Sequence, residues 1–166
     1  MEIRVEKLTG AELLKDAMSH VFGIQAKASL GKWYKSEHSP CRTQLFAIYI
    51  TDMPYSVAMQ IRTHDKNGAL MLVEPGRPDT GTERAKQQVG NYRDALRNMF
   101  ILCNAQHLMD WSRKRLCRNA EDKTRNFFLE LREIMQDIDP YLAENMVPRC
   151  EYIGRCTEFK SCKKKK

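Results

Sequence analysis

Amides, imidazoles and arginines at helical spacing are what a protein uses to hold a flat polar ligand, and the stretch from Asn104 to Cys117 carries all three. Read as a helix, it places Ala105, Leu108, Met109, Ser112 and Leu116 on one apolar side and Asn104, Trp111 and Arg115 on a neighbouring stripe. Asn104 and Arg115 are eleven residues apart, three turns with an offset of about 20°, so both are expected to point into one cleft. A guanidinium held there can give two parallel hydrogen bonds to a planar edge or a phosphate, which lysine cannot reproduce. As a cleft-lining charge, Arg115 is expected to contribute little to the core. The plain alternative is a solvated helix face with a snorkelling arginine.

Three other stretches carry polar chemistry. Glu37-His38 precedes an apolar run, Gln60-Ile61-Arg62-Thr63-His64 closes a helical pattern, and Arg77 sits within Pro75-Gly76-Arg77-Pro78-Asp79. Each also has a cheap structural explanation: Gln60 as a surface amide, His64 as a helix C-terminal residue favoured by the dipole, Arg77 as a solvated loop charge, Asn104 as an N-cap. Of the six cysteines, Cys150, Cys156 and Cys162 recur every six residues. They are candidate zinc ligands, with His107, Cys41 or Cys117 as a fourth, although five intervening residues are more than the tight two-to-four of a zinc knuckle. The alternative is three reduced thiols packing a tail. There is no phosphate-cradling glycine loop, no His-Glu-x-x-His and no Gly-x-Ser-x-Gly nucleophile elbow.

The elements that must position these groups follow from periodicity. Ile3 to Leu8 alternates as a strand, and Ala11 to Val21 is an amphipathic helix stopped by Gly23. Ala26 to Lys35 predicts a second short helix, and Ser36 to Pro40 a loop. Thr43 to Thr51 predicts a strand, with Asp52 capping a helix that has Pro54 in its first turn and runs to about Thr63. Ala69 to Val73 is a short apolar run, Arg84 to about Leu96 reads as helical, and Met99 to Cys103 is a buried strand or helix segment. A long helix carries Phe127, Phe128, Leu131, Ile134, Met135 and Ile138 and closes at Asp139-Pro140. The result is a single α+β domain over 1–148 and a cysteine-bearing, lysine-rich tail over 149–166, with Lys163 to Lys166 expected to be disordered.

The 166 residues, 42% hydrophobic and 30% charged, suffice for one sizeable core. Four of the seven net positive charges sit on Lys163 to Lys166, which leaves +3 for the rest. That balance argues against a nucleic-acid-reading groove. No apolar run approaches the roughly 18 residues a membrane span needs, and Met1 to Glu6 has neither a basic nor an apolar leader region, so a cytoplasmic location is expected.

Taken together, the polar stretches resemble the flavin-dependent thymidylate synthase family over roughly residues 36 to 138. The family's Asn-Ala-Arg-x-Leu-x-x-Phe-x-x-x-Arg helix resembles Asn104-Ala105-Gln106-His107-Leu108 through Trp111 to Arg115, and its Glu-His before a strand resembles Glu37-His38. Its Gln-x-x-Arg-His-Arg aligns with Gln60-Ile61-Arg62-Thr63-His64-Asp65, and Arg77 is the counterpart of the arginine in its Ser-x-Arg-Tyr. Thr63, Asp65 and Gln106 replace arginines of the pattern, and Asp65 is expected to repel a phosphate.

The resemblance implies a small, mainly antiparallel sheet with long helices, a homotetramer with sites shared between subunits, and reductive methylation of dUMP at C5. FAD would be the cofactor, with NADPH and methylenetetrahydrofolate as co-substrates. Arg115 would be catalytic, Gln60, Arg77 and Arg115 would hold dUMP, and His38, His64 and Asn104 would meet the flavin. Two alternatives stand beside it: a lapsed relative that binds a uridine-type nucleotide without turnover, and a zinc-stabilised module that binds nucleic acid.

Overall fold

The computed structural model describes residues 1–65, 68–77, 81–83 and 93–162. A four-stranded antiparallel sheet in the order β1-β2-β4-β3 forms its base, from β1 (Glu2–Lys7), β2 (Leu45–Pro54), β3 (Leu70–Val73) and β4 (Leu96–Asn104). The helices are α1 (Ala11–Phe22), α2 (Leu30–Ser36), α3 (Tyr55–His64), α4 (Ala105–Arg115), α5 (Asp122–Ile138), α6 (Pro140–Asn145) and α7 (Arg149–Tyr152). Among the described residues no helix is long and apolar enough to cross a membrane.

Burial on one face of the sheet drives this arrangement. Phe46, Ile48, Ile50, Ile101 and Cys103 are all buried, in one cluster with Leu108 of α4 and Phe127, Phe128, Leu131 and Met135 of α5. Each large apolar side chain fully removed from water contributes roughly 1.5–3 kcal/mol. The opposite face stays open. There a row runs through paired residues Arg4, Tyr49, Phe100 and Leu72, with the Arg4 guanidinium 3.9 Å from the Tyr49 ring centre and Leu72 59% exposed.

Gly23 ends α1 in the left-handed conformation, as its position predicts. The second helix starts later than expected, at Leu30, because the Ser29 hydroxyl accepts the Lys32 N–H and caps it there. Between α2 and β2, Glu37 takes a left-handed turn and Ser39–Thr43 form a 3-10 turn in place of a plain loop.

Asp52 does not cap α3. It lies at a register shift in β2 with φ 59°, and pairing with β4 resumes at Met53 and Pro54. The first amides of α3 are satisfied differently: Tyr55 N–H donates to the Ala95 carbonyl and Ser56 N–H to that of Arg93. Of the helix expected over Arg84 to Leu96, residues 84–92 lie outside the described residues, and Leu96 already belongs to β4. Lys163 to Lys166 likewise lie outside the described residues.

Asp139 ends α5 and also opens α6, so Pro140 starts a helix as well as stopping one. Its carboxylate is 2% exposed. One oxygen accepts from Lys7 Nζ (2.7 Å) and Tyr34 Oη (2.8 Å), and the other accepts the Leu142 N–H (3.1 Å). Burial, then the neighbouring Asp139 charge, pushes the Tyr34 hydroxyl far above its ordinary pKa, so it stays a donor.

Candidate functional site

α4 enters the core directly from β4, and its first turn is closed by a reciprocal cap. The Asn104 side chain accepts the His107 N–H (3.1 Å), while His107 Nδ1 accepts the Asn104 N–H (3.0 Å). That assigns the tautomer: Nδ1 is bare and Nε2 carries the proton. Nε2 is buried and lies 3.9 Å from an Asp65 oxygen, and the ring stacks on Trp111 at 5.6 Å. Asn104 is thus the N-cap, and its amide oxygen is committed there.

Eleven residues further on, Arg115 is 8% exposed, with its Nη2 donating to the Gln60 carbonyl of α3 at 3.0 Å. Its Nε is buried with no acceptor among the described residues. Burial lowers the guanidinium's pKa, partly offset by the Glu121 carboxylate. Arg115 is therefore a strut between α3 and α4 as well as a cation, and the expected purely cleft-lining charge is corrected. Beside it opens a cleft of about 520 Å³ lined by Tyr55, Ser56, Met59, Gln60, Arg93, Asp94 and Glu121. The backbone bonds from α3 to residues 93 and 95 hold one wall, and an ion pair between Lys123 and Asp94 ties it to α5.

The other predicted residues are spread out. His64 is exposed at the end of α3, with Arg62 and Thr63 exposed beside it. Asp65 is turned inward: it accepts the Ala69 N–H at 2.7 Å and faces His107, its side chain only 10% exposed. His38 is exposed against the Trp33 ring, 6.2 Å between centres, on the far side of the 3-10 turn. Arg77 is exposed in the loop after β3, outside the cleft, its carbonyl accepting the Gly81 N–H. A Cβ at the preceding Gly76 would come within 2.5 Å of the buried Arg97 guanidinium, which would have to shift.

Comparison with solved structures decides what this scaffold is. Over 89% of this chain and 100% of the other, it matches the flavin-dependent thymidylate synthase ThyX from Helicobacter pylori complexed with FAD and dUMP, with a TM-score of 0.66 at 11% identity. The fold is that of the flavin-dependent thymidylate synthases. A second structure of the Helicobacter pylori ThyX with FAD and dUMP gives 0.63 at 11% identity over 88% and 99% of the two chains. The UMP/dUMP methylase PolB from Streptomyces cacaoi, bound with 5-Br dUMP, gives 0.57 at 12% over 87% and 94%. No protein-family model and no curated protein sequence matches.

On this thymidylate synthase fold, sequence reasoning missed a polar network around Glu37. Its carboxylate accepts from Gln106 Nε2 (3.0 Å) and from Arg113, which also bonds Asp110 (2.9 Å), and Gln106 donates to Asp110 as well (3.1 Å). Burial pushes the Glu37 carboxyl up, but hydrogen bonds from Gln106, Tyr152 and Arg113 and the Arg113 charge outweigh it, so the net shift is downward. The i, i+4 and i+3 spacing of Gln106, Asp110 and Arg113 was the available signal.

The candidate zinc ligands are brought together only in part. Cys117, Cys150, Cys156 and Cys162 do line one pocket, and all are free thiols. Yet among the described residues no three of the metal-binding types come together to hold an ion. Of the proposed fourth ligands, His107 Nδ1 serves the α4 cap and the buried Cys41 thiol donates to Gln106 Oε1 at 3.6 Å.

Proposed function

We propose that this chain binds dUMP in the cleft walled by α3, Arg93 and Asp94 and the start of α5, next to Arg115, and methylates it at C5, as a flavin-dependent thymidylate synthase. FAD would carry the electrons, and NADPH and methylenetetrahydrofolate would be co-substrates. The observation that carries the reading is the bond from Arg115 to Gln60, a residue that lines the cleft, on a fold whose neighbours were crystallised with dUMP or 5-Br dUMP.

Arg115 is held by burial and by the Gln60 carbonyl, so its charge is fixed before any ligand arrives. A preorganised guanidinium stabilises the negative charge that develops on a pyrimidine as C5 becomes nucleophilic, without reorganisation cost at that moment. The Gln60 side chain would pair with the polar edge of the base, and Arg93, on the same cleft, would take the phosphate. Arg77 lies outside the cleft of its own protomer and would serve a neighbouring copy's site in the homotetramer that the resemblance implies.

The residues fit a flavin at the end of α3. With Asp65 turned inward, Arg62 and His64 are the basic side chains left exposed there and would hold the flavin's phosphates by hydrogen bonds, against the negative end of the helix dipole. When bound, the flavin supplies the electron-transfer chemistry. Asn104, committed to its cap, would reach the flavin only by giving up that bond.

The absorption spectrum of purified protein, combined with dUMP titration of wild type and Arg115→Lys, tests the proposal. A flavin spectrum and saturable dUMP binding that the substitution weakens are expected. Colourless protein that still binds dUMP through Arg115 would leave a lapsed nucleotide-binding relative; absence of dUMP binding overturns both.

A further inference from the structure

A second pocket, more enclosed than the cleft beside α3, lies where the end of α4, α5 and the tail after α6 meet. Five arginines line it, Arg113, Arg118, Arg125, Arg132 and Arg149, against the two carboxylates Glu151 and Glu158. The chain's own groups account for part of that charge. Arg113 is committed to Glu37 and Asp110 and lies 4.0 Å from the Tyr152 ring centre, and Arg132 gives its Nε to the Ala143 carbonyl. Arg125 Nε is buried and meets no acceptor among the described residues. No described carboxylate forms an ion pair with Arg118 or Arg149.

Collecting so many guanidinium groups is unfavourable through mutual repulsion unless an anion joins them, and Arg125's buried donor costs desolvation energy until it finds an acceptor. The volume sets the anion's size. At about 140 Å³, against the roughly 30 Å³ that one water occupies in the liquid, the pocket suits a group of a few heavy atoms, with anything attached to that group lying towards its open side. Planar, multidentate donors of this kind match the oxygens of a phosphate, whose three or four acceptors can be shared among several guanidinium groups.

We propose that this pocket binds a phosphate group, as inorganic phosphate, diphosphate or the phosphate of a small phosphomonoester, and that the bound anion fastens the tail onto α4 and α5. Arg149 comes from the tail side and Arg118 and Arg125 from the body, so a shared anion bridges the two. The Asn119 side chain, donating to the Lys160 carbonyl at 2.5 Å, already joins the same surfaces. The thiols of Cys150 and Cys156 line the pocket and report its occupancy.

The test is calorimetric titration of the full chain, at low salt, with phosphate, diphosphate and dUMP, together with the rate of iodoacetamide alkylation at Cys150 and Cys156. Saturable binding of phosphate or diphosphate that slows alkylation is expected, weakened about tenfold or more in Arg125→Gln/Arg149→Gln and unchanged in Arg115→Lys. If dUMP also protects Cys150, and does so in Arg115→Lys but not in the double variant, a phosphomonoester is the source of the group. Arg149→Gln alone, at an exposed residue, keeps the test sound should the double variant fail to fold. Absence of saturable binding, or affinity and protection indifferent to these substitutions, overturns the proposal.

Discussion

Arg115 Nη2 sits 3.0 Å from the carbonyl of the cleft residue Gln60, so the guanidinium pins α3 to α4. Arg115→Lys therefore acts twice. Alongside weaker dUMP binding, it removes a charge-assisted hydrogen bond from a site only 8% exposed, a cost of about 1.5 kcal/mol. At this chain length that corresponds to a melting temperature lower by roughly 3–6 °C. Calorimetry of the two proteins without ligand checks it; an unchanged melting temperature would return Arg115 to the surface.

The two lost arginines at the end of α3 are not equivalent targets for restoring flavin affinity. Thr63 is exposed and uses its hydroxyl only on the Met59 carbonyl, so Thr63→Arg should tighten FAD binding severalfold without destabilising the fold. Asp65→Arg should instead destabilise, because it removes the acceptor for Ala69 N–H and places a cation against the His107 Nε2–H. FAD fluorescence quenching together with urea melts separates the two variants.

Glu37 predicts an acid limb in the stability profile. Its carboxyl titrates below the ordinary value, so its stabilisation is fully present above about pH 4.3 and is lost as pH falls through the lowered folded value. Glu37→Gln should flatten that limb between about pH 5 and 3 while lowering stability at neutral pH. Denaturation midpoints measured across that range decide it.

Thiol reactivity should divide the six cysteines. Burial pushes the Cys41 thiol up to about 11, helped by the Glu37 and Asp110 charges and eased by Arg42, and burial raises that of Cys103 further. Both stay protonated and inert in native protein at pH 8. Cys156 and Cys162, exposed on the tail, should alkylate first; mass spectrometry after timed labelling will show whether Cys41 and Cys103 react only on unfolding.

The open row of Tyr49, Phe100 and Leu72 offers apolar surface for the implied assembly of several copies. Leu72→Glu should shift the sedimentation profile to a smaller species if that face is an interface. An unchanged profile would place the interface elsewhere.

Periodicity made β1, α1, α3 and α5 legible, because each buries one face and repeats its apolar residues at the matching interval. Local chemistry was harder to read where a residue had two partners to choose from. Asp52 next to Pro54 has the composition of a cap, but the β2–β4 ladder outcompeted it. Asp65 looked like a charge opposed to phosphate, and a backbone amide thirty-odd residues from the α4 cap turned it inward. Of the candidate site, Gln60 and Arg115 were both named from the resemblance, but the bond between them, which joins two helices 55 positions apart, was not legible. The Glu37 network joins residues 69 and 76 positions apart, a separation no local pattern encodes.

The buried carboxylate of Asp139 accepts from Lys7 and Tyr34, groups that precede it by 132 and 105 positions. During synthesis β1 can pair with β2 early, but that ammonium and that hydroxyl stay hydrated until the chain has grown past α5. The joint between α5 and α6 thus completes long-range bonds that the opening segments cannot make among themselves.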